Sequence, residues 1–138
     1  MIQARPAIRL RGGALLVALL LSPLFGCGGA DGPTRFRVEG AITYNGQPVP
    51  AGRVDFEPDK SKNNRGPVGY AKIEAGRYET LPGKGAISGP QRVKVRGFNG
   101  VANAEMPDGD VLFRPYETEV DLPAHDHSWD IDVPSSTN

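Results

Sequence analysis

The sequence predicts an all-β fold, a single seven-stranded antiparallel β-sandwich, on three observations. Apolar and polar residues alternate with a period of two in four separate segments, as half-buried strands require. The 18 glycines and 13 prolines cut the chain into short pieces. No uninterrupted 3.6-period stretch of ordinary helix length remains between them. Short strands joined by turns pack as two layered sheets.

In chain order, the first element is not part of that fold. Arg5, Arg9 and Arg11 precede the apolar run ALLVALLLSPLF, Ala14 to Phe25, with no acidic residue before Asp31. A bilayer span needs ~20 apolar residues, so residues 1–26 read as a secretory signal peptide and are excluded from the fold. Leu24-Phe25-Gly26-Cys27 resembles the bacterial lipobox. That resemblance implies that Cys27 is lipidated on sulfur, becomes the mature N-terminus and holds the protein to a membrane. The alternatives fit less well. A buried free thiol needs a core around it, and the neighbours are Gly26, Gly28, Gly29, Ala30, Asp31, Gly32 and Pro33, a linker composition. A reactive thiol needs a nearby base or helix N-terminus, and none stands close in sequence. Cys27 is the only cysteine, so the exported fold stands on packing without a disulfide.

Removal of residues 1–26 leaves 112 of the 138 residues, one domain's worth. The expected organisation is a lipidated Cys27 with a flexible linker over 27–34, the β-sandwich over 35–134 and a disordered tail over 135–138. Three arginines leave with the signal, so 13 basic residues face 16 acidic ones, a net charge of minus three. That balance argues against general nucleic-acid binding, which needs a basic footprint.

The seven strands follow from local pattern. Phe36, Val38, Ile42 and Tyr44 share a face with Gly40, opposite Arg35, Arg37, Glu39 and Thr43. Val54 and Phe56 alternate with Arg53, Asp55 and Glu57. In Val68 to Ile73 the phase switches between Tyr70 and Ala71, which predicts a bulge or burial on both faces. Arg77 to Leu81 follows the tight connection Glu74-Ala75-Gly76. Val93 and Val95 alternate with Arg92, Lys94 and Arg96. Tyr116, Thr118, Val120 and Leu122 alternate with Glu117, Glu119 and Asp121. Trp129, Ile131 and Val133 alternate with Ser128, Asp130 and Asp132, which puts the single tryptophan on the core face.

GAITYNGQPVPAGRVDFEP, Gly40 to Pro58, followed by GYAKIEAGRYET and GPQRVKVRGF, resembles the carboxypeptidase regulatory-like domain family. The resemblance covers roughly Phe36 to Val133 and implies a transthyretin-like β-sandwich of the kind common in bacterial envelope lipoproteins. Its most specific motif is Asn45-Gly46-Gln47-Pro48-Val49. Asn-Gly tolerates the positive φ of a tight turn, and proline removes a ladder donor. The motif therefore carries fold and not chemistry. An enzymatic transthyretin-like branch, the 5-hydroxyisourate hydrolases, needs several early histidines and a Tyr-Arg-Gly-Ser ending. Here no histidine precedes position 125 and the chain ends Ser-Ser-Thr-Asn.

Other chemistry is sparse. His125 and His127 bracket Asp126 and form the one candidate metal clip, with Asp130 as a further carboxylate; zinc needs three or four ligands, and a solvated turn is the favoured reading. Ser88 in GAISGP lacks the G-x-S-x-G elbow. Asp108-Gly109-Asp110 lacks the twelfth-position acid of a calcium loop and reads as a turn. Arg92, Lys94 and Arg96 form a basic stripe that suits either an anion or, as favoured here, an acidic strand beside it.

The expected function is thus a non-enzymatic cell-envelope lipoprotein without cofactor, exported and anchored in the inner or outer membrane facing the periplasm, serving as a structural or binding module. The alternative is a carbohydrate- or peptide-binding domain, which exposed aromatics would favour; a metal-dependent or transthyretin-like hydrolase ranks below both. If the strands alternate in direction, Lys60, Lys62, Arg65, Lys84, His125 and His127 share the tethered end. The unpatterned stretch Asn99 to Pro115 then lies at the opposite end and is the expected partner-facing surface.

Overall fold

A computed structural model of the protein describes residues 32–135. The segment expected to be a signal peptide, Cys27, most of the expected linker and residues 136–138 lie outside the described residues. Nine strands are present among the described residues: β1 (Val38–Tyr44), β2 (Gln47–Pro48), β3 (Ala51–Pro58), β4 (Gly69–Glu74), β5 (Arg77–Glu79), β6 (Gly89–Phe98), β7 (Tyr116–Leu122), β8 (His127–Ser128) and β9 (Ile131–Val133). A short 3₁₀ turn, Lys60–Lys62, lies between β3 and β4. The fold is all-β. Its strands follow one hydrogen-bonded path, β2-β1-β5-β4-β3-β6-β7, with β8 and β9 also on β1. The path curls into a half-barrel. The hydrogen bonds do not divide it into the two sheets expected from the sequence, because β1 belongs to both halves, pairing β5 along Glu39–Ala41 and β2 and β9 along Ile42–Tyr44.

The alternation builds the core directly. In β3 and β6 every second side chain points inward, and the cross-strand pairs Val54↔Val95 and Phe56↔Val93 are fully buried. Val38, Ile42, Ile73, Tyr78, Phe113, Leu122, Ile131 and Val133 close around them. Burying an aliphatic or Phe side chain is worth about 1.5–3 kcal/mol, so this inner layer is the main source of stability. Trp129 is half-buried against Phe56, with ring centroids 6.5 Å apart, on the side its phase with Ile131 predicts.

The predicted NG hairpin is present. Asn45 and Gly46 have φ of 51° and 71°, the double positive φ of a two-residue hairpin turn, and Tyr44 pairs with Gln47 across it. Pro48 sits at the outer end of this hairpin, where a missing N–H costs nothing, and Val49 resumes donation to the Ile42 carbonyl at 3.0 Å.

Two expectations are corrected. First, β4 contains no phase switch. Gly69, Ala71 and Ile73 point inward and Tyr70, Lys72 and Glu74 outward, in unbroken register with β3 from Ala51↔Glu74 to Phe56↔Gly69. Tyr70 is an outward tyrosine, and the inward position preceding Ala71 belongs to Gly69, whose lack of a side chain hid the period. Second, β8 and β9 run parallel to β1, not antiparallel. Strict up-and-down alternation gives the last strand the direction of the first, so once the two are neighbours a parallel pairing is forced.

That alternation also sets the polarity of the molecule. At the proximal end, where residues 32–37 lead into β1, lie the β3–β4, β5–β6 and β7–β8 connections. At the distal end lie the hairpin turns and the 99–115 loop.

Candidate functional site

The proximal end is tied down from within. Asp59, which follows β3, is almost wholly buried. Its Oδ1 accepts from the Ser61 N–H at 3.0 Å and the Ser61 hydroxyl at 2.6 Å, the side-chain cap of the short 3₁₀ turn. The Ser61 hydroxyl is the largest influence holding the Asp59 carboxyl below its ordinary range; the Ser61 N–H, Arg92 and Lys62 add to it and burial opposes. Thr80 is buried with its hydroxyl accepting from the Val38 N–H at 3.0 Å, and Gln91 is buried with its amide donating to the Ile87 carbonyl at 3.0 Å. Around this anchored interior, Lys60, Arg65 and Lys84 are exposed. Lys62 pairs with Glu119 and lies 3.8 Å from Asp59.

The distal end is built differently. The 99–115 loop carries its own scaffold. Asn99 Oδ1 accepts from the N–H groups of Val101 and Asp110 at 2.8 and 3.2 Å, and Asn103 Oδ1 from those of Glu105 and Met106 at 3.0 and 2.8 Å. Backbone bonds from Asn99 to Asp110 and from Gly100 to Asp108, both 2.9 Å, close its neck. Phe98 bridges Val111, and Phe113 inserts into the core against Tyr44 with centroids 4.9 Å apart. Asparagine is suited to this because its side-chain carbonyl replaces a backbone acceptor two or three residues on. The result is an ordered loop that holds Val101, Met106 and Val111 exposed, beside Glu105, Asp108 and Asp110.

Asp108-Gly109-Asp110 is a turn, as expected. Gly109 adopts φ 85° and donates to the Met106 carbonyl at 3.1 Å, and Asp110 Oδ1 accepts from Asn103 Nδ2 at 3.2 Å. Ser88 is half-buried, and its carbonyl accepts from Asn64 Nδ2 at 3.1 Å. His125 is exposed and His127 half-buried on β8; their ring centroids stand 6.2 Å apart. His125 Nδ1 lies 2.8 Å from the Asp126 carbonyl, and Asp130, the carboxylate proposed to complete a metal set, accepts from the Ala41 N–H at 2.8 Å. Among the described residues no group of three His, Cys, Asp or Glu is placed to hold a metal ion.

Sequence reasoning missed the role of the carboxylates in the last segment. Asp126 accepts from the Arg37 N–H, Asp130 from the Ala41 N–H and Asp132 from the Thr43 hydroxyl, each at 2.8 Å and each across 89 positions. The signal was the matching two- and four-residue spacing of these acceptors and of their partners Arg37, Ala41 and Thr43, on and just before β1. Tyr78 shares this seam: its hydroxyl donates to the Trp129 carbonyl at 2.6 Å, and burial, with Asp130 and Glu39 adding to it, pushes the phenol well above its ordinary range. Gly40 is required here, since a Cβ would collide with the Trp129 carbonyl.

The outward face of the sheet is a charge ladder. As expected, the basic strand lies beside acidic neighbours: Lys94 pairs with Glu117 of β7 at 2.8 Å, and Arg96 with Asp55 of β3. An open groove of about 750 Å³ crosses β4 and β5 on this face, lined by Arg53, Tyr70, Lys72, Arg77, Glu79 and Leu81. The Arg53 guanidinium covers the Tyr70 ring at 4.2 Å, so the one outward tyrosine here does not present an open stacking platform. Comparison with family models, curated proteins and solved structures finds no match.

Proposed function

We propose that this chain is a lipid-anchored cell-envelope binding module, a transthyretin-like domain of the carboxypeptidase regulatory-like kind, tethered through Cys27 and engaging a partner protein with its 99–115 loop. The observation that carries this reading is the opposition of the two ends. The chain leads into β1 at the end that exposes Lys60, Arg65 and Lys84, with Val68 and Leu81 set among these cations. The ordered loop exposing Val101, Met106 and Val111 stands at the other. Each basic side chain near an anionic leaflet contributes up to about 1 kcal/mol of attraction, which favours the proximal end toward the lipid. Ordered apolar side chains on a loop suit protein docking, because little conformational entropy is lost on contact. The covered Tyr70 ring supports a protein partner over a glycan.

The test has two arms. Cys27→Ser is expected to move the folded protein from the membrane to the soluble fraction, since stable anchoring takes at least two acyl chains. A photocrosslinking residue at Val101 in intact cells is expected to capture a discrete protein, and one at Lys60 to capture lipid. Retention of the serine variant on high-salt-washed membranes overturns the anchor. Equal protein capture from both positions overturns the orientation.

A further inference from the structure

The strands on β1 and the strand at the far end of the path are unequal. β8 and β9 are two and three residues long and are interrupted at Trp129-Asp130. β7 runs seven residues without a break and pairs only with β6; among the described residues its backbone makes no other hydrogen bond. Alternate N–H and C=O groups along it therefore face solvent, the condition for accepting another strand.

The inner side of β7 is also incompletely covered. On neighbouring β6, Gln91, Val93, Val95 and Gly97 are all buried, whereas Tyr116, Thr118 and Val120 of β7 are half-buried although Tyr116 and Val120 pack on the same core. The core is sealed where a strand lies on both sides and left open where β7 is the last. The outward side carries Glu117, Glu119 and Asp121. Lys94 and Lys62 answer the first two from within the molecule, while Asp121 stands opposite Pro90 and has no ion pair among the described residues.

From this geometry we infer that the free edge of β7 is a strand-addition site for an extended polypeptide in which Lys or Arg alternates with apolar or β-branched residues. An added strand places its residues directly opposite those of β7, with Cβ atoms about 4.5–5.5 Å apart. Its basic residues meet Glu117, Glu119 and Asp121, and its apolar residues cover Tyr116, Thr118 and Val120. A second copy of the chain is the wrong occupant. Antiparallel self-pairing that keeps the two sheet faces continuous sets Glu119 against Glu119, with Glu117 against Asp121, or else Glu117 against Glu119; both oppose like charges. The surface thus selects a basic strand and rejects itself. The inference is independent of the lipid anchor and of the distal loop.

The test uses the protein as isolated, with a short synthetic peptide alternating lysine with valine. Two controls accompany it: a peptide alternating glutamate with valine, and one of the first composition with its lysines in a block. The expected result is saturable binding of the alternating basic peptide with slowed hydrogen exchange at solvent-facing amides of Tyr116–Leu122. Asp121→Lys, which breaks no ion pair in the structure, is expected to weaken it about tenfold, as one attractive cross-strand pair becomes repulsive. Glu117→Lys provides a second reading should that variant fold poorly. Binding of the block peptide equal to that of the alternating one overturns the inference, as does unchanged exchange along β7 or the absence of binding at millimolar peptide.

Discussion

The proximal and distal ends of this half-barrel solve the same problem, ordering connections between strands, by opposite means. At the proximal end polar side chains are drawn inward: Asp59, Thr80 and Gln91 are buried, and their hydrogen bonds tie loop to core. At the distal end Asn99 and Asn103 fold the loop on itself and leave Val101, Met106 and Val111 outside, while Leu112 and Phe113 pack on the core. The first arrangement makes loop and core one cooperative unit. The second gives residues 99–110 an order of their own, joined to the core only through the following Leu112 and Phe113.

Four substitutions test that contrast, from the largest effect to the smallest. Phe56→Ala removes a fully buried ring that packs 6.0 Å from Tyr78 and 6.5 Å from Trp129, and should cost about 3–5 kcal/mol. Both ends should then melt together, seen as one transition by tryptophan fluorescence and by loop-specific exchange. A surviving proximal end would deny the cooperativity.

Asp59→Asn probes the proximal end alone. The hydroxyl of Ser61, its N–H, Arg92 and Lys62 lower the Asp59 carboxyl in the folded state. Its stabilising contribution is therefore complete above the unfolded value of about 3.9 and is lost as pH falls through the lower folded one. Urea midpoints of wild type and variant should differ at pH 7 and converge below about pH 4. A gap that stays constant with pH would assign the loss to packing.

Asn103→Ala breaks the distal loop by removing acceptors for Glu105 and Met106, at about 0.5–1.5 kcal/mol per bond. The expected readout is faster exchange confined to residues 99–110 with little change in the global urea midpoint. A full shift of that midpoint would show that the loop is not separate. Lys94→Ala sits between the ends and removes only the half-exposed pair with Glu117. Its midpoint shift should be the smallest of the four and should vanish at high salt.

Much of the strand content was legible because most strands are half-buried, and a one-sided environment writes itself as alternation. Ile42 beside Thr43 and Val95 beside Lys94 are read correctly for that reason. The pattern fails where the inward residue is glycine, as at Gly69, since a missing side chain carries no polarity. Neighbours are harder than strands. Period and turn chemistry identify the hairpins at Asn45-Gly46 and Ala75-Gly76, but nothing local reports that β9 lies along β1. The candidate site was legible only as a gap: Asn99 to Pro115 was marked by lack of pattern, and its order comes from side-chain acceptors that an alternation count does not register. Buried Asp59 escaped notice because acidic residues are expected outside, although Asp is among the preferred capping residues at the start of a helical turn.

The seam of Asp126, Asp130 and Asp132 on β1 has a consequence in time. Each of its bonds spans 89 positions, so β1 lacks its outer neighbours until the segment ending at Val133 is available. Contacts this distant must close a very large loop before they return any stability, which places the domain among slow folders, on the scale of milliseconds to seconds. During that interval β1 is an open edge with Phe36, Val38 and Ile42 along it. The protein is most vulnerable to aggregation while its first strand waits for its last.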